Sequence, residues 1–377
     1  MSVKMEVSFY GHVRQYQNLK AELDKAYVDV MMSGQYVMGP TLVRFEKELA
    51  EYFGTRYAVG INSGTDGLWL PLLALGIGPG DEVITTTNTF FATAEAIWIA
   101  GATAVFVDSD PRTNNIDPGK IEEAITPKTK AIFPVHLYGQ CAEMDKIAAI
   151  AKKRNLIVVE DCAQAIDAAG ANFKVGELSD AVSTSFIIQK NLGTFGDGGA
   201  IATNREDIMT GVKRLRNHGS LKRSVHSYGF NSRLDDLHAG FLSVKLKHIT
   251  AWTDRRREIA AMYSLGLAGV SDRLKLPYEL PGYRHVFHLY VVETLNGQRD
   301  ELLKFLNSEG IDAKCHYPIA IHQQEDFPWG KNYRIVGSQQ NSEWNAANCA
   351  SLPMFPELTQ DEIDYTIEKV VEWCKKN

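Results

Sequence analysis

A chain of 377 residues, 45% apolar and 23% charged, has the composition of an ordinary soluble globular protein long enough for two substantial cores. Its formal net charge of -6 supplies no basic excess for a phosphate backbone, which argues against a nucleic-acid binder. Five cysteines (Cys141, Cys162, Cys315, Cys349, Cys374) without a C-x-x-C pair argue against a disulfide framework or structural zinc, and no run has the length of a signal-peptide core or a membrane span. A cytoplasmic protein with no membrane association and no metal is the expectation.

Taken in order, the apolar spacing predicts amphipathic helices over 18–32 and 41–53. In the second, Leu42, Phe45, Leu49 and Phe53 share one face. The connector between them, 33–40, is rich in turn residues. From residue 57 the pattern becomes strand then helix, repeatedly. Strands are predicted at 57–61, 82–86, 104–107, 131–137 and 156–160, and helices from Ser63 and over 91–100, 118–125 and 144–153. Strands apolar on both faces, alternating with helices, imply a mostly parallel sheet covered on both sides. A helix over 206–217 leads into a basic, irregular stretch with Lys222, Arg223 and Arg233, then a long helical region over 234–267 with a break near 250. The remainder reads as a strand at 288–292, a helix at 299–309, a strand at 312–316 and a last helix from Gln360. The expected division is therefore a large α/β domain over 1–250, whose N-terminal helices are free to pack on the rest, and a smaller α+β domain over 251–377.

Ligands of open α/β sheets gather beyond the carboxyl ends of the strands, and three features fall at such ends. Lys190 follows the apolar Phe186-Ile187-Ile188 and precedes Gly193, Gly196, Gly198 and Gly199. An ammonium held against apolar surface loses hydration, so its pKa falls and the free amine becomes a nucleophile; the plainer reading is a strand-end lysine with its head in water. Ser63-Gly64-Thr65-Asp66 offers hydroxyls and free N–H groups suited to a phosphate, or is an ordinary helix cap. Asp161, ending a buried strand, needs a cationic partner such as a protonated ring nitrogen, or caps the next helix. Thr89-Phe90-Phe91 offers an aromatic face, or packs in the core. With Ser185 close by, these groups match what pyridoxal 5'-phosphate requires: donors for the phosphate, an acid for the ring nitrogen and an amine for the aldehyde.

At this point the chain resembles the fold-type-I, pyridoxal-phosphate-dependent sugar aminotransferases of the DegT/DnrJ/EryC1/StrS family. The resemblance spans nearly the whole chain. It rests on motifs in the same order: Gly34-Gln35-Tyr36-Val37-Met38-Gly39-Pro40, Ser63-Gly64-Thr65-Asp66, Gly78-Pro79-Gly80-Asp81-Glu82-Val83, Pro134-Val135-His136-Leu137-Tyr138-Gly139, Glu160-Asp161-Cys162-Ala163-Gln164, Lys190-Asn191-Leu192-Gly193, Gly196-Asp197-Gly198-Gly199 and Gly229-Phe230-Asn231-Ser232-Arg233-Leu234-Asp235. It implies that Lys190 forms the Schiff base with the cofactor and that Asp161 pairs with the pyridinium. Gln164 would lie near the cofactor's phenolic oxygen, Gly64, Thr65 and Ser185 would hold the phosphate, and Phe90 would stack on the ring. Asn231 would reach the phosphate from a neighbouring subunit, which implies a homodimer with shared active sites.

Two departures stand out: Phe186-Ile187-Ile188-Gln189 replaces the family's aromatic or His followed by Pro before the lysine, and Ile166 replaces a small polar residue or His. Both positions are expected near the cofactor. The resemblance implies transfer of an amino group from L-glutamate to a nucleotide-linked keto sugar. Lys222, Arg223 and Arg233 are the candidates for the diphosphate, each with a solvated loop cation as the plainer reading. His316, Tyr317 and His322 lie in a segment like that of 3-amino-sugar enzymes, which favours a 3-keto-6-deoxyhexose over a 4-keto one. The alternatives are a dehydratase of the same family, which would carry His in place of Lys190, and a nicotinamide-dependent sugar oxidoreductase, which would need a Gly-x-Gly-x-x-Gly turn that Ser63-Gly64-Thr65-Asp66 does not provide. A non-catalytic cofactor-binding regulator would need an added DNA-binding segment, for which the chain has no room before residue 18.

Overall fold

The structure is a computed structural model that describes residues 4–222 and 224–376; Arg223 lies outside the described residues. Two helices open the chain, α1 (His12–Ser33) and α2 (Pro40–Phe53). Pro40 stands in the first turn of α2, where its missing N–H is harmless, and Gly54 ends the helix in the left-handed conformation at φ 69°. Leu42, Phe45, Leu49 and Phe53 are all buried, as their spacing requires. The N-terminus of α2 is capped from far along the chain. The buried carboxylate of Asp236 accepts from the N–H groups of Gly39 (2.7 Å), Thr41 (3.0 Å) and Leu42 (3.1 Å).

The alternating region then runs β1 (Tyr57–Ile61), α3 (Gly64–Ala74), β2 (Glu82–Thr86), α4 (Ala92–Ile99), β3 (Thr103–Val107), α5 (Ile121–Ala124), β4 (Thr129–Ile132), α6 (Met144–Arg154), β5 (Ile157–Asp161), β6 (Ala181–Ser185), β7 (Gly199–Thr203) and α7 (Glu206–Leu215). After α8 (Asp236–Leu246) and α9 (Ile249–Leu267) come β8 (Leu274–Lys275), β9 (Tyr290–Thr294), α10 (Arg299–Ser308), β10 (Tyr333–Ile335), α11 (Gln340–Asn348), β11 (Cys349–Leu352) and α12 (Gln360–Lys376).

Eight strands form one sheet in the order β1-β7-β6-β5-β4-β2-β3-β10, in which only β7 runs against its neighbours. Side chains along each strand alternate between two cores. Ile84, Val105, Val158 and Val182 face one, while Val83, Phe106, Val159 and Ala181 face the other. A separate antiparallel sheet, β11-β9-β8, shares a third core with α9, α10 and α12. Residues 333–335, far along the chain, return to the large sheet and pair with β3. Among the described residues no helix is long and apolar enough to cross a membrane.

Several expectations change in detail. The strand over 131–137 stops at Ile132, because Pro134 has no N–H to give the ladder. No strand forms over 312–316. Lys314 makes a lone bridge to Ser351, and the carbonyl of His316 accepts instead from the Tyr138 hydroxyl at 2.5 Å. The helix over 118–125 is a 3-10 turn, Pro118–Lys120, followed by the single turn of α5. Strand β7, Gly-Ala-Ile-Ala-Thr, lacks the β-branched density that announces the other strands.

Candidate active site

The carboxyl ends of β1, β2, β5 and β6, and the segment after β4, open on one cavity of about 230 Å³. It takes Ser63, Gly64 and Thr65 after β1, Thr89 and Phe90 after β2, Val135 after β4, Asp161 from β5 and Ser185 from β6. Gln164, Ile187, Gln189 and Lys190 complete that side, and Tyr10, His288, His316 and Tyr317 close the other.

At the phosphate-sized end, α3 begins with Ser63 as its cap, the Ser63 hydroxyl accepting from the N–H of Asp66 at 3.1 Å. The N–H groups of Gly64 and Thr65 belong to the first turn and have no acceptor inside the helix. Gly64 is required here, since a Cβ would sit 2.7 Å from the Ser185 Cβ. The same contact brings the Ser185 side chain to the helix start. Ser183, two residues earlier on β6, fixes this end by donating to the Gly64 carbonyl at 2.9 Å.

Asp161 is buried. Its two oxygens accept from the N–H of Ala163 (3.1 Å) and the hydroxyl of Thr93 (3.0 Å), and Thr93 in turn contacts the Thr89 hydroxyl at 3.0 Å. Burial raises the Asp161 carboxyl above its ordinary value, while the Ala163 and Thr93 bonds and the Lys190 charge pull it back. A carboxylate so placed gains from a cationic donor in the cavity. Gln164 is locked by accepting from the Tyr138 N–H at 2.7 Å and donating to the Tyr317 hydroxyl at 3.0 Å. The Phe90 ring lies 5.4 Å from that of Tyr317, and Phe90 remains 53% exposed.

Lys190 sits in the turn beyond β6, its N–H donating to the Ile187 carbonyl at 2.9 Å. Its open side is the cavity, whose walls remove most of its hydration. That loss pushes its amine down to about 8, against the pull of Asp161. The glycine loop behind it is anchored by Lys245, a buried lysine that donates to the Gly193 carbonyl at 2.6 Å and lies over the Phe195 ring at 4.2 Å.

Pyridoxal phosphate fits this donor set: free helical N–H groups and hydroxyls at one end, a buried acid at β5 and a desolvated amine between them. Of the residues the sequence singled out for the cofactor, Gly64, Thr65, Phe90, Asp161, Gln164, Ser185 and Lys190 all line the cavity. Asn231 does not; it is exposed and bridged to Asn217. Among the candidates for substrate, His316 and Tyr317 line the cavity. Arg233 instead donates to Asn217 at 2.8 Å, Lys222 is exposed on a loop, and His322 pairs with Glu343 at 2.8 Å. Of the two departures, Ile187 and Gln189 face the cavity, whereas Ile166 is buried in a core and does not line it. Sequence reasoning missed Thr93, Tyr10 and His288. The His288 Nδ1 donates to Asn191 Oδ1 at 3.0 Å, because the Asn191 amide group faces the Val286 carbonyl. Thr93 and Tyr10 leave no signal in spacing; His288, in the His-Leu approach to β9, does present a polar residue where an apolar one would pack.

The chain is 44% identical over 373 residues to a Geobacillus stearothermophilus protein named pleiotropic regulatory protein, covering 98% of this chain and 99% of that one. It is 41% identical over 362 residues to dTDP-3-amino-3,4,6-trideoxy-alpha-D-glucose transaminase of Streptomyces venezuelae, covering 96% and 94%. The solved structure of S. venezuelae DesV in complex with a ketimine intermediate superposes with a TM-score of 0.94 at 40% identity, covering 98% of this chain and 99% of that one. Residues 17–371 match the DegT/DnrJ/EryC1/StrS aminotransferase family, and the chain belongs to that family of pyridoxal-phosphate-dependent nucleotide-sugar transaminases.

Proposed function

We propose that this enzyme moves an amino group from L-glutamate to the 3-keto group of a nucleotide-linked 6-deoxyhexose, and that it does so as a homodimer. The observation that carries the reading is the convergence of Lys190 and Asp161 on one cavity beside the N-terminus of α3. When bound, pyridoxal phosphate supplies an aldehyde that carries the amino group and a ring that takes up electrons released at the substrate carbon.

The chain's own groups do the rest. Gly64, Thr65 and Ser185 hold the phosphate, and Asp161 holds a proton on the ring nitrogen. That assignment is supported by the one bond each Asp161 oxygen already accepts, from Thr93 and from Ala163, which aims the carboxylate. Lys190 Nζ, near pKa 8, takes the proton from Cα of the amino donor and returns one on the other side of the transfer. Phe90 and Tyr317 cover the ring and exclude water, and neutral His316, pushed down to about 4 by burial, offers a hydrogen bond to a sugar hydroxyl.

The 3-keto preference draws support from the S. venezuelae relative, which is named for a 3-amino sugar. Support for a dimer comes from the segment with Lys222, Arg233 and Asn231, which carries Leu221, Val225 and Tyr228 exposed at 60%, 58% and 76%. Apolar side chains grouped on one loop mark a surface made to be covered, and a partner there would bring those cations to its cavity.

The test begins with the purified protein loaded with cofactor. Borohydride reduction should leave a pyridoxyl mass on the Lys190 peptide alone. With L-glutamate, turnover should appear with 3-keto and not 4-keto nucleotide sugars. A pyridoxyl mark elsewhere, or turnover confined to 4-keto sugars, overturns the respective half.

A further inference from the structure

Outside the groups already used, one chemically reactive pair stands out behind the cavity wall. The Sγ atoms of Cys315 and Cys349 are 3.4 Å apart. Cys349 is the first residue of β11 and wholly buried, whereas Cys315 is partly exposed. The guanidinium of Arg299 reaches the Cys315 sulfur at 3.0 Å and is held there by the Ala346 carbonyl at 2.9 Å. The hydrogen bond from Cys349 and the Arg299 charge hold the Cys315 thiol below its ordinary value despite burial, and Cys349 is pushed up as the donor. The other three cysteines differ. Burial raises Cys141 and Cys162 well above the ordinary range and Cys374 to about 11. One thiolate with a thiol beside it is the arrangement that turns an oxidised sulfur into a disulfide.

The pair is placed to matter. Cys315 precedes His316 and Tyr317, both in the cavity wall, and the Cys349 sulfur lies 3.8 Å from the Tyr317 carbonyl. Tyr317 in turn fixes Gln164 and touches Phe90. Closing the sulfurs to a bond requires about 1.4 Å of approach, and the backbone carrying His316 and Tyr317 must move with Cys315.

We propose that Cys315 and Cys349 form a reversible disulfide on exposure to hydrogen peroxide and that the link slows the enzyme by displacing His316 and Tyr317. The Cys315 thiolate attacks the peroxide O–O bond, giving a sulfenic acid and hydroxide. The Cys349 sulfur then attacks the sulfenic sulfur, and its proton leaves with the displaced hydroxide as water. Overall the two thiols lose two electrons and two protons, and the peroxide becomes two waters. The link itself stands on the sulfur geometry alone; its effect on turnover rests on the cavity being the active site.

The experiment treats the holoenzyme with hydrogen peroxide and reads peptide masses, turnover and cofactor absorbance together. The expected result is a cross-link joining the peptides of Cys315 and Cys349, two hydrogens lighter than their sum. It is accompanied by a loss of turnover of about tenfold or more, as when site groups move by an ångström. Cofactor absorbance should stay unchanged and dithiothreitol should restore activity. Cys349→Ser and Cys315→Ser should both abolish the cross-link and the reversible loss. Absence of the Cys315–Cys349 peptide in the wild type overturns the proposal, and a cross-link with undiminished turnover overturns its regulatory half. If no keto sugar is turned over at all, the mass readout still decides the link.

Discussion

Replacing Lys190 with Met in the cofactor-free protein should make it more stable, and the gain should depend on pH. The cavity walls lower the Lys190 amine from 10.5 to about 8, because they strip water from the ammonium more than Asp161 compensates. At about 1.36 kcal/mol per pKa unit, this difference amounts to at most about 3 kcal/mol of destabilisation carried by the charged lysine. The penalty is complete below pH 8, where the amine is protonated in both states. It fades as pH rises from 8 to 10.5, where the folded protein sheds the proton first, and by pH 10 less than about 1 kcal/mol should remain. Asp161 keeps its bonds from Ala163 and Thr93 in the variant, so it is not left without partners. Urea titrations at pH 7 and pH 10, with both proteins stripped of cofactor, would measure the difference. Equal stabilities at pH 7, or a gain that does not change between the two pH values, would refute the desolvated lysine on which the reactive amine depends.

Other outcomes follow from the same geometry. Asp161→Asn should lower turnover by several orders of magnitude with the fold intact by circular dichroism; a loss below about tenfold, or about 1.4 kcal/mol, removes it from the role assigned. Gly64→Ala places a Cβ 2.7 Å from Ser185 and should weaken cofactor retention on dialysis far more than it lowers the melting temperature. His285, pushed down to about 3 mainly by burial, stays neutral in the fold while its unfolded form titrates near 6.5. Stability should therefore hold above pH 6.5 and fall as pH drops toward 3, by about 1.3 kcal/mol per pH unit near pH 5 from this residue. Stability curves for His285→Gln should lose that one-proton slope; an unchanged slope would sink the assignment.

What the sequence makes legible follows the strength of local signals. Strands β2 and β5 announce themselves by β-branched runs at the places where they occur, and Asp161 at the end of β5 and Lys190 in the turn beyond β6 stand where parallel-sheet topology gathers ligands. The side chains that hold these groups in place do not announce themselves. Thr93 supports Asp161 from the first turn of α4, and Lys245 reaches the glycine loop from α8, contacts set by tertiary packing between segments 68 and 52 residues apart. The segment 312–316 misleads for a related reason: its alternation is real, but its backbone pairs piecemeal, with the Val7 carbonyl, one residue of β11 and a tyrosine hydroxyl, rather than along a ladder. Ile166 shows the limit of arguing from motif position, because the chain turns it into the core two residues after Gln164 lines the cavity.

The return of β10 to the edge of the large sheet bears on how the polypeptide is made. Strand β3, Thr-Ala-Val-Phe-Val, carries no charge or proline to deter a stranger from pairing with it. On a ribosome it emerges more than two hundred residues ahead of its natural cover at Tyr333–Ile335. Through most of translation the nascent enzyme therefore presents an adhesive border, and a shortened product lacking residue 333 onward would carry that hazard permanently.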